Sequence, residues 1–567
     1  MELASMGVLV IDAQATAACP SGHLLELGWA TLPSGARDQG TERDEPSVRT
    51  RLVTLPHGER VPPAVARITG ITSGLVASGV SPDEAWRELL ADAAALACGA
   101  GGLEAMRAVP SVAHFARFER PFLERLAAAI PSDVRLELVC THEIAVRLFP
   151  DLPRRSLRAL TGYFGRSVGE LRRSAEHVSA TAFVWRELVT LLEARGVRTW
   201  SALRAWLAEP SSRPKRGKRG WPMPRELRLS LPDRPGLYRM LRTSGDVLYV
   251  GKATSLHTRV NSYFRKQRGV HERTLEMLSQ ARGLSYVVTE SPLEAALLEP
   301  DEIKRHRPPY NEALTEVDRA VWFATNDLAA WGPRATPELR VGPFSSSVLL
   351  ERFAALVRRE PTAVAPARWA PSTEDFEAGL ARLTRTHAEL ATGPSSGLAA
   401  PTLLRLGARL WREGRRLRDE SDEGATPSSD VPLLAHVWTD EAVAAELESL
   451  VLACAHAVRR ARWLSALVES SIVWREPGAS TRLLVITGGE IALREDATDE
   501  AEPPVPEGHR RSRAARQEAF SVARFDRLRV LGTELKRLVG KDLPVSVRLA
   551  PRLVLSGARL GRVLAWL

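Results

Sequence analysis

Six side chains between residues 231 and 314 carry groups that could together hydrolyse a phosphodiester: Tyr238, Tyr249, Lys252, Arg259, Tyr263 and Glu299. The transition state of that reaction gains negative charge, so it needs a cation, a fork of hydrogen-bond donors and a group that deprotonates or positions water. Mg²⁺ is commonly held by one or two carboxylates together with waters and phosphate. Taken singly, the tyrosines could be paired strand aromatics, the carboxylate a surface group and the arginine an ordinary helix cation. Together they predict a site for metal-dependent phosphodiester hydrolysis.

A β-hairpin is predicted to bring two of the tyrosines together. Residues 236–242 and 247–251 have the composition of short strands on either side of the turn Thr243-Ser244-Gly245-Asp246. Tyr238 and Tyr249 would then lie on neighbouring strands of one small sheet.

Helices are predicted to carry the remaining polar groups. A helix from about residue 255 to 266 places Arg259 and Tyr263 four residues apart on one face. A second helix is expected at 272–282 and a third strand at 284–289. These elements make residues 231–314 a compact α/β unit.

The helix that carries Glu299 has a strong start signal. Ser291 can cap it, Pro292 fits its first position, and Glu294 is predicted to complete a capping box. The helix is expected to end near Arg305, before a pair of prolines.

The polar residues of this segment follow an order that resembles the GIY-YIG nuclease family, and particularly the N-terminal nuclease of the bacterial excision-repair protein UvrC. The matching pieces are Gly236-Leu237-Tyr238, Tyr249-Val250-Gly251-Lys252, the run from Leu256 to Phe264, the run from Thr289 to Glu299 and the run from Ile303 to Asn311. Leu237 and Val250 stand where the family pattern has isoleucine, and neither supplies a reacting group.

The resemblance implies a role for each polar residue. Glu299 would hold a single Mg²⁺ or Mn²⁺ ion, and Arg259 would bind the scissile phosphate. Tyr249 would deprotonate or position the water. Four further residues would order this network or contact DNA: Tyr238, Lys252, Tyr263 and Asn311. An unperturbed tyrosine titrates at about pH 10, so the base needs a nearby cation, which Lys252 and the metal would supply.

Nearly all the excess positive charge of the chain lies on one segment. The net charge is +10, and residues 213–312 contain 20 Lys and Arg against 11 Asp and Glu. A concentrated basic field favours a polyanion, and DNA is the expected partner. The alternative is that the positive charge belongs to a solvated linker and binds nothing. Residues 206–230 are rich in Pro, Gly, Ser and basic residues, and they are predicted to be a linker.

Residues 1–205 alternate strand-like and helical runs, which predicts an α/β domain. They resemble the DnaQ-like (DEDDh) family of 3′–5′ exonucleases. The residues that carry the resemblance are Val8-Leu9-Val10-Ile11-Asp12, Ile68-Thr69-Gly70-Ile71-Thr72, His114-Phe115-Ala116-Arg117-Phe118-Glu119, Cys140-Thr141 and Ser179-Ala180-Thr181. The resemblance implies an RNase H-like fold, with four carboxylates and a histidine around two metal ions.

The residues at those catalytic positions depart from the family pattern. Asp12 fits the first carboxylate, but Gln14 occupies the second position and Glu119 stands where aspartate is usual. Arg172 falls at the histidine position and His177 at the last carboxylate. Because a two-metal site needs negative charge to gather its ions, we expect a folded domain without exonuclease activity.

Residues 315–567 show no catalytic series and predict a mixed α+β region of unknown role. Helices are expected at 401–418 and 442–469, a hairpin at 482–495, and polar loops at 419–430 and 496–516. A helix at 519–540 carries basic residues beside apolar ones. That pattern favours a solvated helix face over contact with DNA or a partner.

The composition is that of a soluble chain with three or four domains. Hydrophobic residues make up 44% and charged residues 26% of 567 residues, and no apolar run is long enough to cross a membrane. The four scattered cysteines form no zinc or disulfide pattern, so a cytoplasmic location is expected. The predicted fold class is multidomain α/β: an RNase H-like domain, a small α/β GIY-YIG domain and the mixed C-terminal region.

The leading functional hypothesis is a metal-dependent DNA endonuclease in repair, resembling the incision step of nucleotide excision repair. A damage-recognition partner such as a UvrB-like helicase is plausible, since a small nuclease domain has little surface with which to sense lesions. A DnaQ-type 3′–5′ exonuclease is one alternative, and Gln14 argues against it. A catalytically idle DNA-binding adaptor is another, and the complete Tyr/Lys/Arg/Glu set argues against that.

Overall fold

The computed structural model describes most of the chain. The described residues are 2–33, 46–98, 108–167, 169–210, 220–265, 270–312, 320–365, 370–390, 398–420, 438–510, 516–517 and 520–565. Among them, no helix is long and apolar enough to cross a membrane.

The first unit is a five-stranded mixed sheet covered by helices. Its strands are β1 (Val8–Ala15), β2 (Leu24–Leu32), β3 (Arg49–Leu52), β4 (Ala108–Ala113) and β5 (Arg135–Cys140). Its helices are α1 (Pro63–Thr69), α2 (Ser73–Ala77), α3 (Pro82–Cys98), α4 (Ala116–Ala129), α5 (Thr141–Leu148), α6 (Leu157–Tyr163), α7 (Ser174–Ala194) and α8 (Trp200–Ala208). The strand order is β3-β2-β1-β4-β5, with β1 parallel to β4 and antiparallel to β2. This arrangement confirms the predicted RNase H-like fold.

The central strand β1 is apolar because both of its faces are buried. Val8 and Val10 pack into the core formed with α5 and α7, whereas Leu9 and Ile11 pack into the core on the α3 side. Burial on both faces produces a continuous apolar run in place of an alternating one. The run ends at Asp12, which lies at the edge of a cleft.

The central unit is a three-stranded antiparallel sheet with short helices. It comprises α9 (Arg225–Leu229), β6 (Gly236–Leu241), β7 (Val247–Ala253), α10 (Leu256–Ser262), α11 (Glu272–Gln280), β8 (Gly283–Val288) and α12 (Pro292–His306), in the sheet order β7-β6-β8. The hairpin and the three helices lie where the sequence predicts them. Helix α10 is shorter than expected, because Phe264 turns into the core against Trp221, with ring centroids 5.3 Å apart.

The predicted linker is partly structured. Helix α8 extends into it, and α9 lies within it. Met223 is 2% exposed and packs in the core of the central unit, so the chain joins that core well before β6. Residues 211–219 of the predicted linker lie outside the described residues.

The C-terminal region combines a helical layer with a second sheet. Its elements are β9 (Trp322–Ala324), β10 (Trp331–Gly332), β11 (Val341–Phe344), α13 (Val348–Val357), α14 (Thr373–Thr386), α15 (Ala400–Glu420), α16 (Asp440–Leu467), β12 (Ser470–Trp474), β13 (Thr481–Thr487), β14 (Glu490–Ala497), α17 (Val522–Gly540), β15 (Val545–Ala550), β16 (Leu553–Ser556) and α18 (Gly557–Leu564). The larger sheet has the order β14-β13-β12-β15-β16. The hairpin turns at Gly488-Gly489, as predicted, and most of the predicted loop at 419–430 lies outside the described residues.

The central unit packs against both the first unit and the C-terminal region. The buried Arg242 of the central unit donates to Ser167 at 2.9 Å, and the backbone N–H of Arg154 donates to Ser279 at 2.9 Å. On the other side, Leu293 and Leu297 of α12 belong to the same apolar core as α17. Helix α12 is therefore shared between the central unit and the C-terminal region.

Two polar predictions for these helices are wrong. Ser291 caps α12 as expected, accepting from the Glu294 N–H at 3.2 Å, but the Glu294 carboxylate forms a buried ion pair with Arg482 at 2.8 Å and completes no capping box. The basic residues of α17 were predicted to form a solvated face, but one of them, Arg527, is only 11% exposed and lies 3.0 Å from Asp301 of α12. In both cases an ion pair across the interface decides where the side chain goes.

Candidate active site

Three tyrosines meet at one side of the central sheet. The ring centroids of Tyr238 and Tyr249 lie 6.1 Å apart, and each lies 6.3 Å from the ring of Tyr263 at the end of α10. The hydroxyls of Tyr238 and Tyr263 share a hydrogen bond of 2.9 Å. Arg259 donates to the Tyr263 hydroxyl at 3.3 Å, and its guanidinium carbon lies 5.1 Å from that ring's centroid. The structure thus brings four of the sequence-predicted residues into one network.

The close approach of the tyrosines depends on Gly251. This residue is paired across the sheet with Tyr238. A Cβ at this position would lie 2.5 Å from the Tyr238 hydroxyl and 2.8 Å from the ring of Tyr249. Because real Cβ atoms do not approach other atoms so closely, a larger residue here would displace both rings.

The phenols of Tyr238 and Tyr249 hold their protons at neutral pH. Burial raises the pKa of Tyr238 well above its ordinary value, and its tyrosine neighbours add to the effect. Burial also raises the pKa of Tyr249, with contributions from Tyr263 and from the charge of Glu299. The tyrosines therefore act as hydrogen-bond donors in this arrangement, and ionising one of them requires added positive charge.

Glu299 and Lys252 contact each other beside this cluster. One carboxylate oxygen of Glu299 accepts from the Lys252 backbone N–H at 3.3 Å, and the other lies 3.8 Å from Lys252 Nζ. The Glu299 side chain is 15% exposed. Burial raises its pKa, and Lys252 opposes that rise.

The ammonium of Lys252 is engaged by the C-terminal region as well. It lies 3.1 Å from Glu534 on α17, closer than it lies to Glu299. The predicted use of Lys252 to favour an ionised Tyr249 is thus replaced by ion pairs with two carboxylates.

The donor set around Glu299 fits a hard divalent cation with few protein ligands. The described residues contain no group of three or more His, Cys, Asp or Glu placed to hold a metal ion. Glu299 does line a cavity of about 440 Å³, which leaves room for waters and phosphate oxygens. A cation there would offset the burial that raises the pKa of this carboxyl.

Asn311 contacts the edge of the sheet. Its side-chain oxygen accepts from the Val250 N–H and its side-chain nitrogen donates to the Val250 carbonyl, both at 2.9 Å. The amide thus fixes β7 next to Tyr249. The predicted contact of Asn311 with DNA stays a prediction.

Several residues that the sequence reasoning missed line the cavity beside Glu299. They come from α16 and α17 of the C-terminal region and include Arg460, Trp463, Arg529, Thr533 and Lys536. The basic residues of α17 are evident in the sequence. Their spacing does not predict that α17 packs against α12, which is what brings them close to Glu299.

The predicted exonuclease residues gather in a separate cleft of about 880 Å³ in the first unit. Both carboxylate oxygens of Asp12 are engaged: Gln14 donates to one at 3.1 Å, and His177 lies 3.1 Å from the other. Burial lowers the pKa of His177, but the charge of Asp12 and their hydrogen bond outweigh it and raise that pKa to about 8. A protonated imidazole thus sits beside the first carboxylate.

Two further predicted positions line the same cleft. Burial and the nearby charge of Asp12 raise the pKa of Glu119 to about 9, which leaves the carboxyl neutral. Arg172 lines the cleft and pairs with Glu170 at 2.8 Å. Two divalent ions would therefore meet cations at Arg172 and His177 and a neutral amide at Gln14.

Comparison with known proteins identifies the central unit. Residues 234–312 match the family model described as the UvrC-like GIY-YIG domain. The UvrABC system protein C of Psychrobacter sp. (strain PRwf-1) is 50% identical over 86 residues, which is 15% of this chain and 14% of that protein. The GIY-YIG N-terminal endonuclease domain of UvrC from Thermotoga maritima, solved with magnesium, is 34% identical; the match covers 15% of this chain and 93% of that one, with a TM-score of 0.14.

A second relative is similar to a larger part of the chain. The "Putative bifunctional exonuclease/endonuclease protein" of Mycobacterium tuberculosis (strain CDC 1551 / Oshkosh) is 28% identical over 381 residues, covering 63% of this chain. This chain spans about half the length of that relative (53%). The predicted combination of an exonuclease-like unit with a UvrC-like GIY-YIG domain is confirmed.

Proposed function

We propose, from the premise that residues 234–312 form a UvrC-like GIY-YIG domain, that the protein is a metal-dependent DNA endonuclease. One observation carries the proposal. The hydrogen-bonded network of Arg259, Tyr263 and Tyr238 lies beside Glu299, a largely buried carboxylate. The negative charge of Glu299 contributes to the raised pKa of Tyr249. That juxtaposition supplies an anion-binding fork, proton-bearing hydroxyls and a metal ligand at one place.

Each side chain has a separate role in phosphodiester hydrolysis. Arg259 binds the scissile phosphate and offsets its growing negative charge, with its guanidinium held in place by Tyr263. Tyr249 orients the attacking water. With a divalent ion held by Glu299, the pKa of the Tyr249 phenol would be lower, and the phenol would release its proton to solvent. The resulting phenolate would accept the proton of the attacking water. Tyr238 fixes Tyr263 through their hydroxyl contact.

Glu299 is the residue that would hold the metal. A divalent ion, Mg²⁺ or Mn²⁺, bound there supplies Lewis-acid stabilisation of the phosphate. Lys252 is placed to balance the charge of Glu299 and to approach a phosphate oxygen.

DNA is the proposed substrate because the excess positive charge of the chain lies on residues 213–312. The similarity to UvrC proteins supports a role in repair incision. A partner that recognises damage, of the UvrB-like helicase kind, belongs to the same proposal.

The first unit is proposed to be folded but inactive as an exonuclease. The pairing of Asp12 with Gln14 and His177 supports this. A DNA-binding adaptor with an idle nuclease remains the competing function, and the intact Arg259–Tyr263–Glu299 set argues against it.

A nicking assay on end-labelled duplexes with Mg²⁺ or Mn²⁺ tests the proposal. The duplexes would be intact, lesion-bearing or branched. Glu299→Gln should abolish internal cuts, whereas the matched control Glu290→Gln, an exposed carboxylate, and Asp12→Ala should both retain them. Cutting that survives Glu299→Gln would overturn the proposal. Stepwise 3′ trimming lost in Asp12→Ala would favour the exonuclease instead, and binding without any cutting would favour the adaptor.

A further inference from the structure

The cavity beside Glu299 is built by two parts of the chain. Its volume is about 440 Å³, and the GIY-YIG domain contributes Lys252 and Glu299. The opposite wall comes from α16 and α17, with Arg460, Arg529 and Lys536 among its residues. A candidate metal ligand and a basic wall thus face the same enclosed space.

A buried hydrogen-bond donor opens onto this space. Trp463 is 6% exposed, and its indole nitrogen has no hydrogen-bond partner among the described residues. It lies next to Gly532, where a Cβ would stand 3.6 Å from the indole nitrogen. Trp463 and Gly532 both line the cavity, so the indole nitrogen lies in the cavity wall, covered on this side only by a residue without a side chain. A buried donor without a partner is costly, so a ligand with an acceptor oxygen is the expected occupant.

The electrostatics of the wall favour an anion. Lys536 is exposed and takes part in no ion pair among the described residues. Arg529 is 42% exposed and lies 3.8 Å from its partner Asp526, so it can turn toward a ligand. The nearby carboxylate of Glu534 is neutralised by Lys252 at 3.1 Å and Arg537 at 2.6 Å.

We propose that this wall is a second phosphate subsite, in which Trp463, Lys536 and Arg529 bind a non-scissile phosphate of the DNA strand that lies across Glu299. The indole N–H donates to a phosphate oxygen, and the two cations neutralise the phosphate charge. The C-terminal region thereby forms one side of the DNA channel. This inference rests on the proposed endonuclease function, because Glu299 defines where the strand runs.

Binding can be measured apart from cutting. Fluorescence anisotropy of a labelled DNA duplex with a single-stranded end, in EDTA and over a range of salt concentrations, gives both the affinity and its salt slope. Lys536→Ala should weaken binding several-fold and reduce the slope by about 1, since one phosphate contact is lost. Arg385→Ala, which removes an exposed cation of α14 that does not line the cavity, should leave both unchanged.

The indole contact has its own signature. Trp463→Phe removes the N–H but keeps a ring, so affinity should fall by roughly tenfold with an unchanged salt slope, as expected for a neutral donor to a charged acceptor. Gly532→Ala covers the same N–H without removing packing. It should weaken binding while the melting temperature stays at the wild-type value.

The outcomes separate this inference from the proposed function. Wild-type affinities and slopes in Lys536→Ala, Trp463→Phe and Gly532→Ala would overturn the subsite, even if Glu299-dependent cutting is observed. If the wild type binds but does not cut, the endonuclease proposal fails, and the same binding series still decides whether this wall holds a phosphate. Inorganic phosphate serves as competitor: weaker competition against the Lys536→Ala protein supports the subsite, and equal competition against both proteins counts against it.

Discussion

The ammonium of Lys252 in the GIY-YIG domain lies 3.1 Å from the carboxylate of Glu534 in the C-terminal region. Glu534 is itself buried and held by Arg537. A residue of the candidate active site is therefore tied to a helix more than two hundred residues later in the chain. The C-terminal region thus contacts the candidate active site directly.

The pH dependence of cleavage should respond to Glu534. Burial raises the pKa of Glu299, Lys252 opposes the rise, and the charge of Glu534 adds to it. Glu534→Gln removes that charge, so the acid limb of the profile of kcat/KM against pH should move to lower pH. Glu476→Gln is the matched control because Glu476 contacts Arg537 as well. An unmoved acid limb in Glu534→Gln would contradict the link.

Gly251→Ala should greatly reduce the rate of cleavage without unfolding the protein. The new Cβ would lie 2.5 Å from the Tyr238 hydroxyl, so the tyrosine network must shift. A displacement of that order costs about 100-fold in rate when it misplaces reacting groups. Single-turnover cleavage measures this. The control Gly283→Ala meets its nearest side chain at 3.4 Å, an ordinary contact, and should keep wild-type activity.

The interface between α12 and α17 should depend on the pair of Lys304 and Asp526. The two side chains are 9% and 0% exposed. Asp526→Ala leaves a buried ammonium without its partner and should lower the free energy of unfolding by about 3–5 kcal/mol. Urea denaturation measures the loss. In contrast, Glu290→Ala, which breaks the exposed pair with Arg234, should cost at most about 1 kcal/mol. Similar losses in both variants would contradict this reading of the interface.

The first unit should lose stability as pH rises from about 6.5 to about 8. The folded-state pKa of His177 is raised to about 8, because Asp12 outweighs the opposing effect of burial. Stabilisation by the protonated imidazole is then complete below the unfolded pKa of about 6.5 and is lost as pH passes through the folded value. The shift corresponds to a stabilisation on the order of 2 kcal/mol. Glu119 faces the same Asp12, and its folded-state pKa is raised to about 9. Because the unfolded carboxyl is ionised throughout this window and the folded one is not, Glu119 adds a loss of stability in the same direction, so the share of His177 is the difference between the wild type and a His177 variant.

Urea midpoints measured between pH 6 and pH 8.5 check this prediction. His177→Gln keeps a hydrogen-bonding group but cannot titrate, so its midpoint should vary less over the window than that of the wild type. A wild-type midpoint that rises with pH would show that the imidazole is neutral beside Asp12.

Local sequence determined much of the central unit. The alternation in 236–253 and the cap at Ser291 predict the hairpin and α12, because strand pairing and helix capping depend on neighbouring residues. The ordered tyrosines, arginine and glutamate also indicated the chemistry. In the first unit, Gln14, Arg172 and His177 carry the prediction that the exonuclease site is inactive, and it stays a prediction.

Tertiary packing decided what the spacing of residues could not. The carboxylate of Glu294 has a local option in a capping box, yet it binds Arg482, which lies nearly two hundred residues later. Glu534 and Trp463 carry no local signal of function and acquire one when α16 and α17 pack against α12. Burial is the physical reason, because a charge or donor removed from water must find a partner wherever the fold supplies one, and that place depends on how distant segments pack.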